Sequence, residues 1–126
     1  MSLTTLLSGW LHKIESENPP PADIIALNFG ILKSDKGYMI FLTGSEVYDA
    51  NDDDWAGEID YQPPRANKYL LLTPEIAKSL KWTKVLEELT PALKELIATG
   101  AAPKLFQNRP ITLGYDDEKL ILIKSQ

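Results

Sequence analysis

The residues with the most capacity for chemistry in this sequence are seven carboxylates between Ser45 and Tyr61, a stretch without Lys or Arg. They are interleaved with three aromatic residues. The candidate partner-binding residues are Tyr48, Asp49, Asp52, Asp53, Asp54, Trp55, Glu58, Asp60 and Tyr61, with Glu46 as the remaining acid. Carboxylates pair with Arg and Lys, and aromatic anchors inside a charged rim are typical of protein-recognition surfaces. The stretch therefore predicts a surface for a basic protein.

The charge of the chain is concentrated in this stretch. The 126 residues include 18 acids and 13 bases, giving a formal net charge of −5. Without the seven acids of the stretch, 11 acids face 13 bases, so the remainder is slightly basic. A local negative field favours cations and repels nucleic acid. We therefore predict no nucleic-acid partner for this face.

Calcium binding is an alternative use of the same acids. Asp49, Asn51, Asp53 and Asp60 stand at positions 1, 3, 5 and 12 of an EF-hand loop. However, Asp54 occupies the position at which that loop needs glycine, and the preceding segment has the pattern of a strand. We expect no specific metal site and no cofactor, and keep weak calcium binding as an alternative.

Catalytic constellations are scarce in the sequence. There is no cysteine, and His12, the one histidine, lies beside Lys13 on the polar side of an amphipathic pattern. The sequence has no glycine-rich phosphate loop and no dinucleotide fingerprint. We predict that the protein is not an enzyme.

A simpler interpretation of the acidic stretch is a solubilising turn. In that case Trp55 would fold back into the core as an anchor, and the acids would be ordinary solvated surface. A general structural domain is therefore the other alternative.

The elements that must position this stretch follow from periodicity. Apolar residues at helical spacing predict a helix over 3–17 capped by Ser2, and Pro19 to Pro21 follow it. Period-two patterns predict a hairpin over 23–43 that turns at Gly37, and a further strand over 68–73.

The second half of the chain predicts a long helix and another hairpin. Thr73, Pro74 and Glu75 form a helix start, and the apolar stripe runs to Gly100. Pro91 should kink this helix, or divide it in two with Thr90 as a cap. The stretch 111–123 predicts the hairpin, with its turn at 116–118.

The predicted fold is a single α+β domain over 1–126. It has a largely antiparallel sheet of about five strands, with the N-terminal helix and the long, Pro-kinked helix packed on one face. No apolar run approaches the ~20 residues of a membrane-spanning helix. We expect a cytoplasmic protein with no membrane partner, and a leftover apolar helix face could form a homodimer.

The run ALNFGILKSDKGYMIFLTGSEVYDANDDDWA resembles small bacterial proteins grouped with the immunity proteins of polymorphic toxin systems. In those proteins a similar hairpin leads into an acidic loop ending in a DDDW element. The resemblance covers about 25–72, with a looser likeness in ITLGYDDEKLILI. It implies a non-enzymatic inhibitor of a cognate toxin that needs no cofactor. The residues carried over are Asp52, Asp53, Asp54 and Trp55, and Gly57 departs from the expected pattern.

Overall fold

A computed structural model describes residues 2–35, 37–72, 82–100, 102–115 and 118–125. The helices are α1 (Leu3–Glu17), α2 (Trp82–Ala98) and the short α3 (Pro103–Phe106). The strands are β1 (Ala26–Ser34), β2 (Gly37–Ser45), β3 (Tyr69–Leu72), β4 (Ile111–Tyr115) and β5 (Ile121–Lys124). Two 3-10 turns, Asp53–Gly57 and Arg65–Asn67, lie between β2 and β3. The predicted α+β class is confirmed.

The five strands form one mixed sheet in the order β3-β2-β1-β4-β5. Three of the four pairings are antiparallel, as predicted, whereas β1 and β4 pair in parallel. A parallel pairing needs a long crossover connection, and the segment that contains α2 and α3 provides it. The parallel pair at the centre of the sheet is the part of the topology that the sequence analysis did not foresee.

The N-terminal helix has the predicted bounds and cap. Ser2 accepts a hydrogen bond from the Thr5 backbone amide at 3.1 Å, which satisfies one of the free donors of the first turn. The buried face of the helix repeats at helical spacing: Leu7, Trp10, Leu11 and Ile14. The hairpin between β1 and β2 also has its predicted turn, with Gly37 at a φ of 141°.

The second helix continues through Pro91 as one α-helix. Thr90 donates its hydroxyl to the Leu86 carbonyl at 2.7 Å, within the helix. The two-helix alternative with Thr90 as a cap is therefore wrong. Gly100 ends the helix as predicted, with a φ of 74° and its amide donating to the Ile97 carbonyl. The predicted start at Thr73, Pro74 and Glu75 lies outside the described residues.

The hydrophobic core lies between the helices and one face of the sheet. Alternate residues of β1, namely Leu27, Phe29 and Ile31, are buried against the helices. Phe29 lies between the rings of Trp10 and Phe106, with centroids 6.3 Å away on each side. The helices thus share one face of the sheet, as expected, and the opposite face is left for the loops.

The buried side chain of Arg109 connects three segments of the chain. No pattern in the sequence predicted this role. Its side chain is 9% exposed. The guanidinium donates to four backbone carbonyls: Ile24 at 2.7 Å, Leu105 at 3.0 Å, Lys104 at 3.1 Å and Pro21 at 3.2 Å. Burial lowers the pKa of Arg109 from its ordinary value. This side chain joins the proline segment, defined as residues 19–21, to α3 and the start of β4.

Candidate partner-binding surface

The acidic loop, defined as residues 46–60, folds across the sheet face that the helices leave open. It leaves β2 at Ser45, whose hydroxyl donates to the Trp55 carbonyl at 2.9 Å and also contacts the Glu58 carbonyl. At its far side, the Asp53 carboxylate accepts the Leu120 backbone amide at 3.0 Å, next to β5. The loop is therefore held at the end of β2 and again at the β4–β5 connection.

The aromatic residues of the stretch hold the loop to the protein. Trp55 is 6% exposed and Tyr61 is 9% exposed, and the half-buried Tyr48 meets the indole edge-on at 5.1 Å between centroids. The sequence predicts these rings as anchors for a partner, and the burial of Trp55 and Tyr61 corrects that prediction. An indole removed from water stabilises the loop conformation more than an exposed one. Trp55 has the anchoring position that the simpler interpretation gave it.

Tyr61 also closes the loop at its exit. Its backbone pairs with Gly44, and its hydroxyl donates to the Asn18 carbonyl at 2.6 Å. A Cβ at Gly44 would lie 3.1 Å from the Tyr61 ring and 2.6 Å from the Ile24 side chain, so glycine allows this close approach. Burial raises the pKa of Tyr61 to about 12, and the nearby Arg109 opposes this rise.

High pH should therefore destabilise the protein through Tyr61. Its pKa is raised in the folded state, so its contribution is fully present below the unfolded value of about 10. The contribution is lost as the pH rises from about 10 to about 12, and its size is about 2–3 kcal/mol. We expect Tyr61→Phe to reduce this loss in denaturant unfolding measured across that range. The exposed Tyr69→Phe is the control, and an unchanged pH dependence in Tyr61→Phe would contradict the assignment.

All seven acids between Ser45 and Tyr61 are exposed. Four of them also shape the loop by accepting a backbone amide: Asp49 from Asn51 at 2.9 Å, Asp52 from Asp54 at 3.0 Å, Asp53 from Leu120 at 3.0 Å and Asp60 from Glu46 at 2.9 Å. The short acceptor of aspartate suits such turns, and Asp52 is the N-cap of the 3-10 turn. These contacts use one oxygen of each side chain and leave its charge in place.

The loop carboxylates have no neutralising partner within the described part of the chain. The one ion pair among the described residues joins Lys84 and Glu87 at 3.2 Å on the exposed side of α2. Like charges also lie close together, because Glu46 has both Asp23 and Asp60 near it. The pKa of Glu46 is raised, most of all by a hydrogen bond with Asp23 and in addition by repulsion from the charges of Asp23 and Asp60. The surface therefore presents uncompensated negative charge.

The EF-hand positions of the acidic loop, kept above only as an alternative calcium site, are not arranged around one point. Among the residues described, no group of three or more His, Cys, Asp or Glu side chains is arranged to hold a metal ion. Asp49 and Asp60 are turned to separate backbone amides, those of Asn51 and Glu46. His12 lies exposed on α1, as its position in the sequence indicated.

Two exposed apolar side chains and a cleft lie beside the acids, and none of these features was predicted from the sequence. Val47 and Ile59 lie within the acidic loop with 49% and 56% of their surface exposed. Ile59 lines a cleft of about 700 Å³ between the loop and the open face of the sheet. The sequence does contain one indication of this cleft, because the polar residues Asn28 and Thr43 interrupt the apolar strands. They are paired across β1 and β2 on the face that the cleft covers.

Comparison of the chain with protein-family models, with curated proteins and with solved structures found no match. The resemblance of 25–72 to immunity proteins thus stays a prediction. In the part of the chain that the structure describes, no helix has the length and apolar character needed to cross a membrane. The case for function therefore depends on the geometry and charge of the acidic loop.

Proposed function

We propose that this chain is a non-enzymatic interaction protein that binds a basic protein through the exposed carboxylates of the acidic loop. In the cell it acts as an immunity protein that inhibits a cognate bacterial toxin. The observation that supports this most strongly is the set of exposed loop carboxylates with no ion-pair partner among the described residues. A concentrated negative field on one side of a domain accelerates and orients association with a positively charged surface.

The anchoring of the loop makes it suitable for this task. The buried Trp55, the Ser45 hydroxyl and the Asp53–Leu120 hydrogen bond hold its backbone at three places. A binding loop that is already ordered loses less conformational entropy when it meets its partner. The carboxylates thus carry the interaction, whereas the buried rings fix their positions.

The toxin assignment rests on the resemblance and on the sign of the charge. Enzymes that act on nucleic acids need basic surfaces to meet phosphates, and carboxylates can occupy such surfaces in place of phosphate. An acidic inhibitor suits a target of this kind. It would block the target by contact and would need no cofactor.

A capture experiment tests the proposal. With the full chain as bait in a lysate of the source organism, we expect a basic protein to be retained at low salt and released as salt rises, since screening weakens exposed charge pairs. Identification of the retained protein by mass spectrometry shows whether it is a toxin. Retention of only acidic proteins, or retention insensitive to salt, would count against the proposal.

A purely structural and solubilising loop is the second candidate, and two observations favour it. Trp55 is buried, and four aspartates accept backbone amides. This candidate predicts no salt-sensitive partner in the capture experiment. The remaining alternative, calcium binding, predicts a rise in thermal midpoint with millimolar calcium, because a ligand bound only by the native state stabilises it.

A further inference from the structure

The cleft beneath the acidic loop combines an apolar wall, a polar floor and an acidic rim. Its volume of about 700 Å³ lies within the range of about 300–1,000 Å³ that is common for binding pockets. The sheet provides one side of the cleft, and the loop and the β4–β5 connection provide the other.

The apolar wall is formed by Phe41, Tyr69 and Ile59. The rings of Phe41 and Tyr69 meet edge-to-face, with centroids 6.4 Å apart and planes at 81°. Phe41 lies flat across β1 because its cross-strand partner is Gly30, where a Cβ would be 2.0 Å from the ring. Tyr69 and Ile59 are 39% and 56% exposed, so this wall is accessible from solvent.

The polar floor has unused hydrogen-bonding capacity. Asn28 and Thr43 line the cleft and are 8% and 3% exposed. The Asn28 side-chain oxygen accepts from the Thr112 hydroxyl at 2.8 Å, which leaves the amide NH₂ of Asn28 as a donor. Within the described ranges, neither that NH₂ nor the Thr43 hydroxyl has a hydrogen-bond partner. Neither atom is fully buried, so both reach the water of the cleft, and an acceptor such as a peptide carbonyl of a ligand can take the place of that water.

The rim of the cleft is negative. Asp53, Asp54 and Glu118 are all exposed and lie on the side that the loop and the β4–β5 connection form, where Asp53 accepts the Leu120 amide. Lys119 is the single cation among the lining residues described. A segment that passes these acids gains by carrying Lys or Arg next to its apolar part.

We infer that the cleft receives a segment of the basic partner in which one apolar or aromatic side chain is flanked by Lys or Arg. The apolar side chain packs against Phe41, Tyr69 and Ile59, and a backbone carbonyl accepts from Asn28 or Thr43. The flanking cations meet Asp53, Asp54 and Glu118. This inference rests on the proposed function, and it adds the site and the chemistry of the partner segment.

Three synthetic peptides test the inference by titration followed with NMR and calorimetry. They are Lys-Gly-Trp-Gly-Lys, the same peptide with Gly in place of Trp, and Glu-Gly-Trp-Gly-Glu. We expect the first to bind most tightly and to shift the side-chain amide signals of Asn28. The variant Ile59→Ser should bind it about tenfold more weakly, since a fully buried apolar side chain contributes on the order of a tenfold change in affinity. Val47→Ser is the matched control, because Val47 is 49% exposed in the same loop and does not line the cleft.

Each other outcome overturns the inference. In one such outcome, the two lysine peptides bind with equal affinity and Ile59→Ser leaves that affinity unchanged. This result would show that the carboxylates bind cations without the cleft, and it would not contradict the proposed function. Equal binding of the lysine and glutamate peptides with Trp would show an uncharged apolar site. Absence of binding by all three at millimolar concentration would remove the cleft as a site, and the capture experiment would still decide the proposed function.

Discussion

We expect Arg109→Ala to lower the free energy of unfolding by about 4 kcal/mol. The substitution leaves four backbone carbonyls without their shared donor, and a hydrogen bond from a charged group contributes about 1.5–3 kcal/mol. The four effects do not add in full, because the loosened segments regain water. The size of the loss places Arg109 among the residues that hold the proline segment, α3 and β4 together.

Denaturant unfolding of three variants separates the geometry of Arg109 from its charge. Arg109→Lys keeps the positive charge and loses the planar fork of donors, so we expect it to recover less than half of the lost stability. Lys104→Ala removes an exposed cation from the same region and should change stability little. An unfolding free energy of Arg109→Ala within about 1 kcal/mol of the parent protein would contradict the role given to the four contacts.

The second large effect concerns association. We expect joint replacement of Asp52, Asp53 and Asp54 with Asn to slow association with the captured partner by about tenfold or more at low salt, because steering raises association rates by about 10–10³. Asparagine keeps an oxygen that can accept from the amides of Asp54 and Leu120, so the thermal midpoint should stay nearly unchanged. Stopped-flow or surface-based kinetics at several salt concentrations measure the rate.

A matched variant controls for net charge. Glu87, Glu88 and Glu95 are exposed on α2, and their joint replacement with Gln removes the same three negative charges from another face. We expect this variant to associate at nearly the parental rate. Equal slowing by the two triple variants would mean that only the total charge matters, and the acidic loop would lose its assigned role.

The local elements could be predicted because their determinants are close in sequence. The helix over Leu3–Glu17 has an apolar repeat and a Ser2 cap within the same 16 residues. The first hairpin is fixed by its turn, where Gly37 takes a φ that other residues rarely adopt. For Pro91, tertiary packing of Leu89 and Leu93 keeps one helix where the local signal allowed two.

The central parallel pairing could not be predicted in the same way. β1 and β4 are joined at positions such as Leu27 and Ile111, which are far apart in the chain. Both strands are apolar, and apolar alternation does not specify a neighbour or a direction. The crossover helix made the parallel pair available, and packing against the shared core selected it.

The negative charge of the candidate site could be predicted from the sequence, whereas the packing of its aromatic side chains could not. The exposure of Asp52, Asp53 and Asp54 follows from residue type alone. The burial of Trp55 depends on contacts with Tyr48 and on the fold of the whole loop, so sequence alone left both of its positions open. Arg109 had no signal, because a single arginine before a strand has the same appearance whether it is buried or exposed.

Carbodiimide cross-linking of the complex with the captured protein tests whether the acidic loop is the surface that contacts the basic partner. The reagent joins a carboxylate to a lysine amine in contact with it, and mass spectrometry then identifies both residues. We expect cross-links from the exposed acids of the acidic loop, above all Asp54 and Glu58, to lysines of the partner. Cross-links confined to the acids of α2, such as Glu88 and Glu95, would contradict a role of the acidic loop in binding.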